Sequence, residues 1–303
     1  MWLDRVVKME LRHIRYFLRA GELLHFTHAA ESLYVSQPTL SLHIHQLEEE
    51  LGTPLFVREG RRVRLTEGGE IFLEHSRRIV RELELAEQNL ADLKGLERGT
   101  LRIGSLLTFG QEILPDWVAG FHANYPKIAV SVTTGSSSFL EDQLKSNLLD
   151  VVFSFLPANI DDVEGETIVA EEVFLLVSKQ HELAAKRSIE AKELERIPLA
   201  LVGRNLSARH IYDQFFSEHK ISPEVLIEFD DLRALLKIVK NGDVATLTTK
   251  LAAGDQPDLK FIPIADEKLL VNYGMLRLAN SRPSLPTKAF LNHVKTQRVA
   301  KAK

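Results

Sequence analysis

Gln37 stands in the first turn of a predicted helix, where its side chain is held outward. Ser36 is a good helix N-cap and Pro38 is tolerated in a first turn, so this helix begins with polar residues that project into solvent. A side-chain amide in this position can form two hydrogen bonds with the edge of an adenine. The residues that we expect to face double-stranded DNA are Thr27, Ser36, Gln37, Pro38, Thr39, Ser41 and His45.

Arginine side chains follow this helix in the sequence. The segment LFVREGRRVRL holds two short β-prone runs around Glu59-Gly60, which predicts a β-hairpin, or wing. Arg58, Arg61 and Arg62 lie on or beside the hairpin and would meet backbone phosphates, with Arg61 or Arg62 placed to enter a minor groove. The alternative is a solvated run of charges without a partner.

Two helices joined by a short turn must position Gln37. The second helix has apolar residues at spacings of four, three and four, which predict one buried stripe: Leu40, Ile44, Leu47 and Leu51. The first is predicted to begin at a Thr27 cap and to place small residues at the helix crossing. A further helix over residues 10–24, preceded by a tail at residues 1–8, would pack behind the pair. An ordinary helical hairpin is the alternative.

The N-terminal third of the chain resembles a known family. The pattern of the N-terminal domain of LysR-type transcriptional regulators is followed almost position for position by residues 26–70, FTHAAESLYVSQPTLSLHIHQLEEELGTPLFVREGRRVRLTEGGE. One departure is Leu42, where the family often has Arg. The resemblance implies an α+β multidomain fold, with a winged helix-turn-helix at 9–65, a linker helix at 66–94 and a two-lobed α/β effector-binding domain, similar to type 2 periplasmic binding proteins, at 95–303.

A long helix is predicted from a Thr66 cap to about Lys94. At about 1.5 Å per residue it would be roughly 40 Å long, which is too long for a small winged domain to bury. We therefore expect it to pair with a second copy; packing of one face onto its own domain is the alternative. The apolar residues expected in this seam are Phe72, Ile79, Leu83, Ala86 and Leu90. Gly95 and Gly99 are predicted to end the helix as a hinge.

Beyond Thr100 short apolar runs alternate with helical patterns, which predicts parallel sheets flanked by helices. The predicted strands are Leu101–Gly104, Ile128–Thr133, Val151–Phe155, Val173–Val177, Leu199–Val202, Val225–Ile227, Val244–Leu247, Phe261–Ile264 and Val271–Leu278. The predicted helices are Ile113–Tyr125, Phe139–Asn147, Ala208–Lys220, Leu232–Asn241 and Thr287–Arg298. The resemblance implies lobe I at about 100–160 and 268–303, and lobe II at about 161–267.

Three hydroxyl-rich loops are expected to meet at one cleft, because ligands of open α/β sheets collect at the carboxyl ends of strands and near helix N-termini. The predicted effector-binding residues are Ser105, Thr108, Ser136, Ser137, Ser207 and Arg209, of which Thr108, Ser137 and Ser207 match effector-contacting positions of the family. Arg204 and Arg209 would add a carboxylate clamp. We expect a small organic or inorganic anion as effector. The alternative is that these hydroxyl groups only cap helices.

Composition excludes several other classes of protein. The 303 residues carry a formal charge of −4, so binding to nucleic acid must depend on a local basic surface. The absence of cysteine excludes disulfides, Cys-ligated zinc and thiol redox sensing. Without a signal peptide or a long apolar run, we expect a cytoplasmic protein with no membrane partner. No hydrolase, Walker or dinucleotide motif is present, so we expect neither an enzyme nor a cofactor, and His43 and His45 are spaced too closely for a metal site.

These features predict a sequence-specific transcription regulator whose activity is modulated by a small-molecule effector. We expect a homodimer or a dimer of dimers, that is a homotetramer, with RNA polymerase as a further partner if the protein activates transcription. The alternative is a solute-binding or carrier-type protein whose N-terminal domain serves assembly. A regulator without an effector stays open, as do aromatic acids, amino acids, inorganic anions and sugar acids as ligands. Asp243 and Thr248 depart from the family's Gly-x-Gly-then-Pro pattern, which leaves the shape of that loop open.

Overall fold

The chain folds into two compact units. The computed structural model describes residues 9–59, 62–92, 98–158, 160–279 and 281–301. The N-terminal unit covers residues 1–95 together with 146–148, and the C-terminal unit covers the remainder. The helices within the described ranges include none that is long and apolar enough to cross a membrane.

The N-terminal unit is a winged helix-turn-helix domain followed by a long helix, as predicted. Its elements are α1 (Leu11–Leu23), α2 (Phe26–Ser32), α3 (Gln37–Leu51), β1 (Phe56–Glu59), β2 (Arg62–Leu65) and α4 (Glu67–Asp92). β1 and β2 pair antiparallel as the wing. Phe17, Leu47 and Leu55 are fully buried and form one core with Leu73 of α4, so the helices and the wing are held by shared apolar contacts.

Hydroxyl side chains start α3 and α4 where the sequence predicted them. Ser36 Oγ accepts a hydrogen bond from the Thr39 N–H at 3.2 Å, and Thr66 Oγ1 accepts one from the Gly69 N–H at 2.9 Å. Each bond satisfies one of the N–H groups that a helix start leaves unpaired.

The predicted Thr27 cap of α2 is wrong. The helix begins two residues earlier than a Thr27 cap would allow, at Phe26, whose ring centre lies 5.1 Å from that of Phe56. His25 is the N-cap, and its Nδ1 accepts a hydrogen bond from the His28 N–H at 3.3 Å. Thr27 therefore lies inside the first turn, where it is exposed.

The apolar stripe of α3 is confirmed over its first three positions. Leu40, Ile44 and Leu47 are buried, whereas Leu51 is 36% exposed. Leu51 is the last residue of the helix, and Gly52 follows it with φ 70°, the left-handed conformation that glycine adopts without strain. The chain turns away there, so Leu51 has no facing partner in the core.

α4 has 26 residues, a length of about 39 Å. The Phe72 ring lies 5.0 Å from the ring of Phe17. Phe72 is half-buried and therefore packs at least one side of its ring against its own domain. Lys94 and Gly95, the predicted helix end and hinge, lie outside the described residues, and Gly99 begins the next strand.

The C-terminal unit contains two sheets with helices around them. Its elements are β3 (Gly99–Ser105), α5 (Leu107–Glu112), α6 (Leu114–Asn124), β4 (Ile128–Thr134), α7 (Ser137–Lys145), β5 (Val151–Leu156), β6 (Val163–Ser178), the 3₁₀ helices Glu182–Ala185 and Ala191–Arg196, β7 (Leu199–Val202), α8 (Ser207–Glu218), β8 (Val225–Phe229), α9 (Leu232–Asn241), β9 (Thr246–Thr249), α10 (Lys250–Ala253), β10 (Leu259–Ile262), β11 (Leu270–Leu278) and α11 (Leu285–Lys301). Every predicted strand of this unit overlaps an observed one, although α5 and α10 were not predicted.

The strand β6 runs through both lobes as part of the seven-stranded sheet. In the first lobe the strand order is β4-β3-β5-β11-β6, and residues 163–172 of β6 pair with β11. In the second lobe, residues 173–178 pair with β9 and β10, and β7 pairs with β8. The register thus places the crossing at residues 172/173, twelve residues beyond the expected 160/161 boundary. β6 and β11 run antiparallel to their neighbours, so the seven-stranded sheet is mixed rather than parallel, whereas β7 and β8 pair in parallel as predicted.

Candidate DNA-reading surface and effector cavity

The exposed face of α3 carries the polar residues that the sequence predicted there. Gln37, Pro38 and His45 are exposed, and Thr39 and Ser41 are half-buried. The Gln37 Nε2 amide donates a hydrogen bond to Ser41 Oγ at 3.0 Å. This contact holds the amide along the helix, with both groups at the surface.

Two further residues of this face, Ser36 and Leu42, differ in chemistry. Ser36 Oγ is engaged as the cap of α3 and lies 2.7 Å from Thr39 Oγ1, so its main role is to start the helix. Leu42 is 55% exposed and places an apolar group in the middle of the polar face. The surface therefore combines an amide, hydroxyl groups and one aliphatic side chain.

The wing places its arginines on a two-stranded hairpin. Arg58 pairs with Val63 in the strand register, and Glu59 pairs with Arg62. Arg61 and the side chains of Arg58 and Arg62 lie outside the described residues.

The histidines of α3 are placed apart from each other. The His43 ring is half-buried, 5.0 Å from the His13 ring and 5.4 Å from the Tyr16 ring, whereas His45 is exposed, with Nε2 3.5 Å from Glu49 Oε1. In the described part of the chain no cluster of three or more His, Asp or Glu residues could hold a metal ion.

The C-terminal unit contains a cavity of about 120 Å³ with walls from both lobes. Thr108 of α5 and Ser136, which precedes α7, contribute from the first lobe, and Ser207 at the start of α8 contributes from the second. Three of the predicted hydroxyl groups are therefore brought together. Thr108 reaches the cavity from a helix rather than from the expected loop.

Two other predicted serines lie behind the cavity wall. Ser105 is fully buried, and its Oγ donates a hydrogen bond to the Leu106 carbonyl at 3.0 Å. Ser137 Oγ accepts a hydrogen bond from Ser154 Oγ at 2.9 Å, and the Ser137 N–H donates to Ser207 Oγ at 3.2 Å across the lobes. Neither side chain lines the cavity, so both support it from outside.

The predicted arginine clamp is wrong because both arginines have partners within their own lobe. Arg209 is 2% exposed, and its guanidinium donates to Asp213, to Glu228 and to the Val202 carbonyl at 2.8, 3.0 and 3.1 Å. Burial alone would lower the pKa of Arg209, but the bonds to the two carboxylates outweigh it and raise the pKa. Arg204 is largely exposed, with Nε 3.7 Å from the same Glu228. Neither arginine lines the cavity.

Sequence reasoning missed two tyrosines of the cavity wall. Tyr212 and Tyr273 are 4% and 2% exposed. Burial raises the pKa of Tyr273, against hydrogen bonds with Thr249 and Thr108 that lower it. Burial also raises the pKa of Tyr212 far above its usual range. Both phenols therefore stay protonated at neutral pH. The sequence did not indicate that either tyrosine faces a cavity. It did contain a threonine-rich stretch at residues 246–249, and Thr248 and Thr249 of this stretch line the same cavity.

An ion pair also links the lobes outside the cavity. Arg233 of α9 donates to Glu112 of α5 at 2.6 Å and to Gln111 at 3.0 Å. The Arg233 side chain is 62% exposed, so solvent screens this contact and its contribution to stability is small.

Comparisons with known proteins agree with this architecture. The family profile described as LysR substrate binding domain matches residues 94–298, and the profile described as bacterial regulatory helix-turn-helix protein, lysR family, matches residues 11–70. The crystal structure of full-length CbnR complexed with its target DNA superimposes with a TM-score of 0.71 at 24% sequence identity, covering 95% of this chain and 99% of that chain.

Two relatives come from Bacillus subtilis. The HTH-type transcriptional regulator AlsR is 32% identical over 240 residues, which cover 77% of this chain and 78% of that protein. The transcriptional dual regulator GltC is 30% identical over 240 residues, covering 79% and 80%. These matches and the two profiles show that the chain belongs to the LysR family of DNA-binding transcriptional regulators with an effector-binding domain.

Proposed function

We propose that the protein reads its DNA site with the first turns of α3, anchors it with the arginines of the wing, and responds to a small anion bound in the cavity of the C-terminal unit. The observation that carries the DNA-reading proposal is the exposed Gln37 amide on a helix start whose opposite face is buried. A helix presented in this way fits the major groove, where an amide can read an adenine.

Two variants separate base reading from phosphate binding. Gln37→Ala should relax sequence preference by about 1–3 kcal/mol at one base pair, because it removes only a base contact. Arg58→Ala combined with Arg62→Ala should weaken all DNA sequences alike and flatten the dependence of log Kd on log salt by about one unit per lost phosphate contact. Fluorescence anisotropy with operator and scrambled duplexes over a salt series measures both effects.

The outcome that contradicts this assignment is an unchanged sequence preference in the Gln37 variant together with an unchanged salt slope in the arginine variant. The rival interpretation, a solute-binding or carrier-type protein, has no use for a polar reading face or an arginine wing. Membership of a regulator family favours the DNA-binding interpretation.

Self-association through α4 is the second part of the proposal. Exposed apolar residues fall within about 100° of the helix circumference, namely Ile71, Ile79, Ala86 and Leu90. With Leu83, which is half-buried, they support a seam between two copies that begins at Ile71 rather than at Phe72. Leu90→Asp should dissociate a dimer into monomers in light scattering, because Leu90 is 65% exposed and a charge there is harmless in a monomer. Glu87→Ala, at a neighbouring exposed position, is the control.

An anionic effector is the third part. Helix starts carry a partial positive charge, and uncapped ones present unpaired N–H groups. α8 begins at the cavity without a side-chain cap, whereas at the start of α7 the Ser137 and Phe139 N–H groups already donate to Ser207 Oγ and Ser136 Oγ. For a metabolite sensor we expect micromolar to millimolar affinity, about 4–8 kcal/mol of binding free energy. Thr108→Val and Ser207→Ala should each weaken binding of the anion by about 0.5–1.5 kcal/mol in calorimetry, since each removes one hydrogen-bonding hydroxyl group from the wall.

A further inference from the structure

We propose that the effector is a compact monocarboxylate with an apolar body, and that the hydroxyl group of Tyr212 is a contact that selects it. This inference rests on the proposed binding of an anion in the cavity, and it adds the class of anion and a specificity-determining residue.

The walls of the cavity are mainly apolar. Both lobes contribute large aliphatic and aromatic side chains, including Leu106, Phe155, Val202, Leu206, Leu232 and Val271. Burying apolar ligand surface against such walls is favourable by about 25 cal/mol per Å². A sugar acid or a hydrated inorganic anion has polar groups on every side, and those that face the apolar part of the walls would be left without partners, which is unfavourable. The apolar walls therefore favour a ligand that carries a hydrocarbon body.

The charge on the cavity wall allows one negative group at most. Among the described residues that line the cavity there is no lysine, arginine or histidine. Arg209, which the sequence predicted as part of the clamp, is held by Asp213 and Glu228 and is not part of the wall. The carboxylate of Asp230 lies on the lining and repels anionic groups, so the cost rises with each further negative charge on the ligand. Di- and tricarboxylates and phosphates are therefore disfavoured.

Backbone donors can accept the single carboxylate. α8 has twelve residues and no side chain caps its N-terminus, so its first N–H groups, at Ser207 and Ala208, are available at the cavity wall. At the neighbouring helix start of α7, the hydroxyl group of Ser136 also lines the cavity. A carboxylate placed between these two helix starts would receive hydrogen bonds without any cationic side chain.

Tyr212 supplies an observation independent of the helix starts. Its side chain lines the cavity and is 4% exposed, and the described residues provide no hydrogen-bond partner for its hydroxyl group. The other tyrosine of the wall, Tyr273, has its hydroxyl group engaged by Thr249 and Thr108. A hydroxyl group that lines a cavity without a protein partner must form its hydrogen bond with a ligand or with water. Tyr212 therefore offers one donor to an oxygen of the ligand.

The size of the cavity sets the size of the ligand. Its volume of about 120 Å³ holds roughly four to ten water-sized groups, depending on whether about 30 or about 12 Å³ is assigned to each. Branched aliphatic acids and single-ring carboxylic acids fall within or close to this range.

The test is isothermal titration calorimetry on the full chain with a matched set of probes. Benzoate and cyclohexanecarboxylate carry one carboxylate on an apolar ring; benzamide is the neutral counterpart of benzoate and benzylamine a cationic one. Phosphate, citrate and gluconate represent inorganic anions, polyanions and sugar acids. We expect the two ring carboxylates to bind and the other probes to bind at least tenfold more weakly.

Tyr212→Phe tests the selecting contact, because it removes only the hydroxyl group. It should weaken binding of the ring carboxylates by about three- to tenfold, as expected for one hydrogen bond. Tyr125→Phe, at a position outside the cavity wall, should leave binding unchanged and serves as the control.

The possible failures are distinguishable. Preferential binding of citrate, phosphate or gluconate would overturn the ligand class while leaving an anionic effector in place. Binding of benzamide or benzylamine without any carboxylate, or no carboxylate binding at millimolar concentration, would overturn the anion proposal as well. Unchanged binding of benzoate by the Tyr212→Phe variant would remove the role assigned to Tyr212.

Discussion

The reading face of α3 and the cavity of the C-terminal unit both present hydroxyl groups, but they are built in different ways. On α3 the exposed residues fall between positions 37 and 45, and the period of one helix decides which of them face outward. In the cavity, Thr108 and Tyr273 meet from positions 165 residues apart, counted from 108 to 273. The first surface is therefore specified by local spacing, whereas the second depends on which neighbours the fold supplies.

The largest expected effect is on the stability of the N-terminal unit, and it tests the close backbone contact at Gly69. A Cβ at Gly69 would lie 2.1 Å from the Leu55 carbonyl oxygen, whereas a Cβ at Gly68 would be 3.5 Å from Thr53 Oγ1, an ordinary contact. Gly69→Ala should destabilise the N-terminal unit by about 1–3 kcal/mol or more, because backbone atoms must move apart. Gly68→Ala should be neutral or stabilising, since alanine favours a helix.

Scanning calorimetry with operator binding measured in parallel checks this pair. For a unit of this size, about 1 kcal/mol corresponds to a shift of about 4–8 °C in Tm. Equal Tm values for the two variants would show that α4 can move away from the wing without loss, and that the local geometry is less strict than the distances indicate.

The same contrast explains what the sequence revealed and what it did not. The caps at Ser36 and Thr66 and the buried stripe from Leu40 to Leu47 were predictable, because each involves residues a few positions apart. In α2 the cap moved to His25, since tertiary packing of Phe26 fixed where the helix begins.

Longer-range features were not predictable in this way. The first ten residues of β6 are all exposed or half-buried and show no alternating apolar pattern, so the sequence placed the crossing between the lobes twelve residues too early. Arg209 resembled a ligand clamp until Glu228, nineteen positions further along the chain, was seen to hold it. Tyr212 reads as an ordinary aromatic residue in a helix, because nothing nearby in the sequence indicates that it faces a cavity.

The second prediction concerns Arg209, which lies beside the cavity and is held by residues of its own lobe. Arg209→Met should destabilise the C-terminal unit by about 1.5–3 kcal/mol, because it removes hydrogen bonds between charged groups at a buried site. Arg204→Met, at an exposed position beside the same Glu228, should change stability by less than about 0.5 kcal/mol. Chemical denaturation of the two variants measures the difference. Loss of effector binding by the Arg209 variant without loss of stability would restore the clamp that the structure argues against.

The third prediction concerns the one apolar side chain on the reading face. Leu42 is 55% exposed there, and an aliphatic group in the major groove can contact the methyl group of a thymine. Replacing the contacted thymine by uracil removes one methyl group, which is worth about 0.8 kcal/mol, about a fourfold rise in Kd. A scan of single uracil substitutions across the operator should reveal one such position for the native protein. The Leu42→Ser variant should bind the thymine and uracil duplexes with equal Kd at that position. If uracil raised Kd equally for both proteins, the methyl contact would belong to another residue.

The smallest expected effect concerns a histidine behind the reading helix. His13 is 8% exposed, its Nδ1 accepts a hydrogen bond from the Glu10 N–H at 3.2 Å, and its ring lies 5.0 Å from that of His43. Burial, and then the neighbouring His43, lower the pKa of His13 below its ordinary value of 6.5; Arg12 acts in the same direction, while Glu10 and Glu50 oppose it.

This lowered pKa gives the N-terminal unit a defined dependence on pH. Between the lowered pKa and 6.5 the unfolded chain binds more protons than the folded one, so stability is highest above 6.5 and falls as the pH drops through that window. Hydrogen exchange of the α1 and α3 amides at about pH 7.5 and about pH 5.5, corrected for the intrinsic exchange rate, should show lower protection in acid. His13→Gln keeps a hydrogen-bond acceptor but cannot titrate. In this variant the loss of amide protection between about pH 7.5 and about pH 5.5 should be smaller than in the native protein. The protection of the variant at about pH 7.5 is the baseline for that comparison. An identical pH difference in the Gln variant would mean that other groups, not His13, link the reading domain to pH.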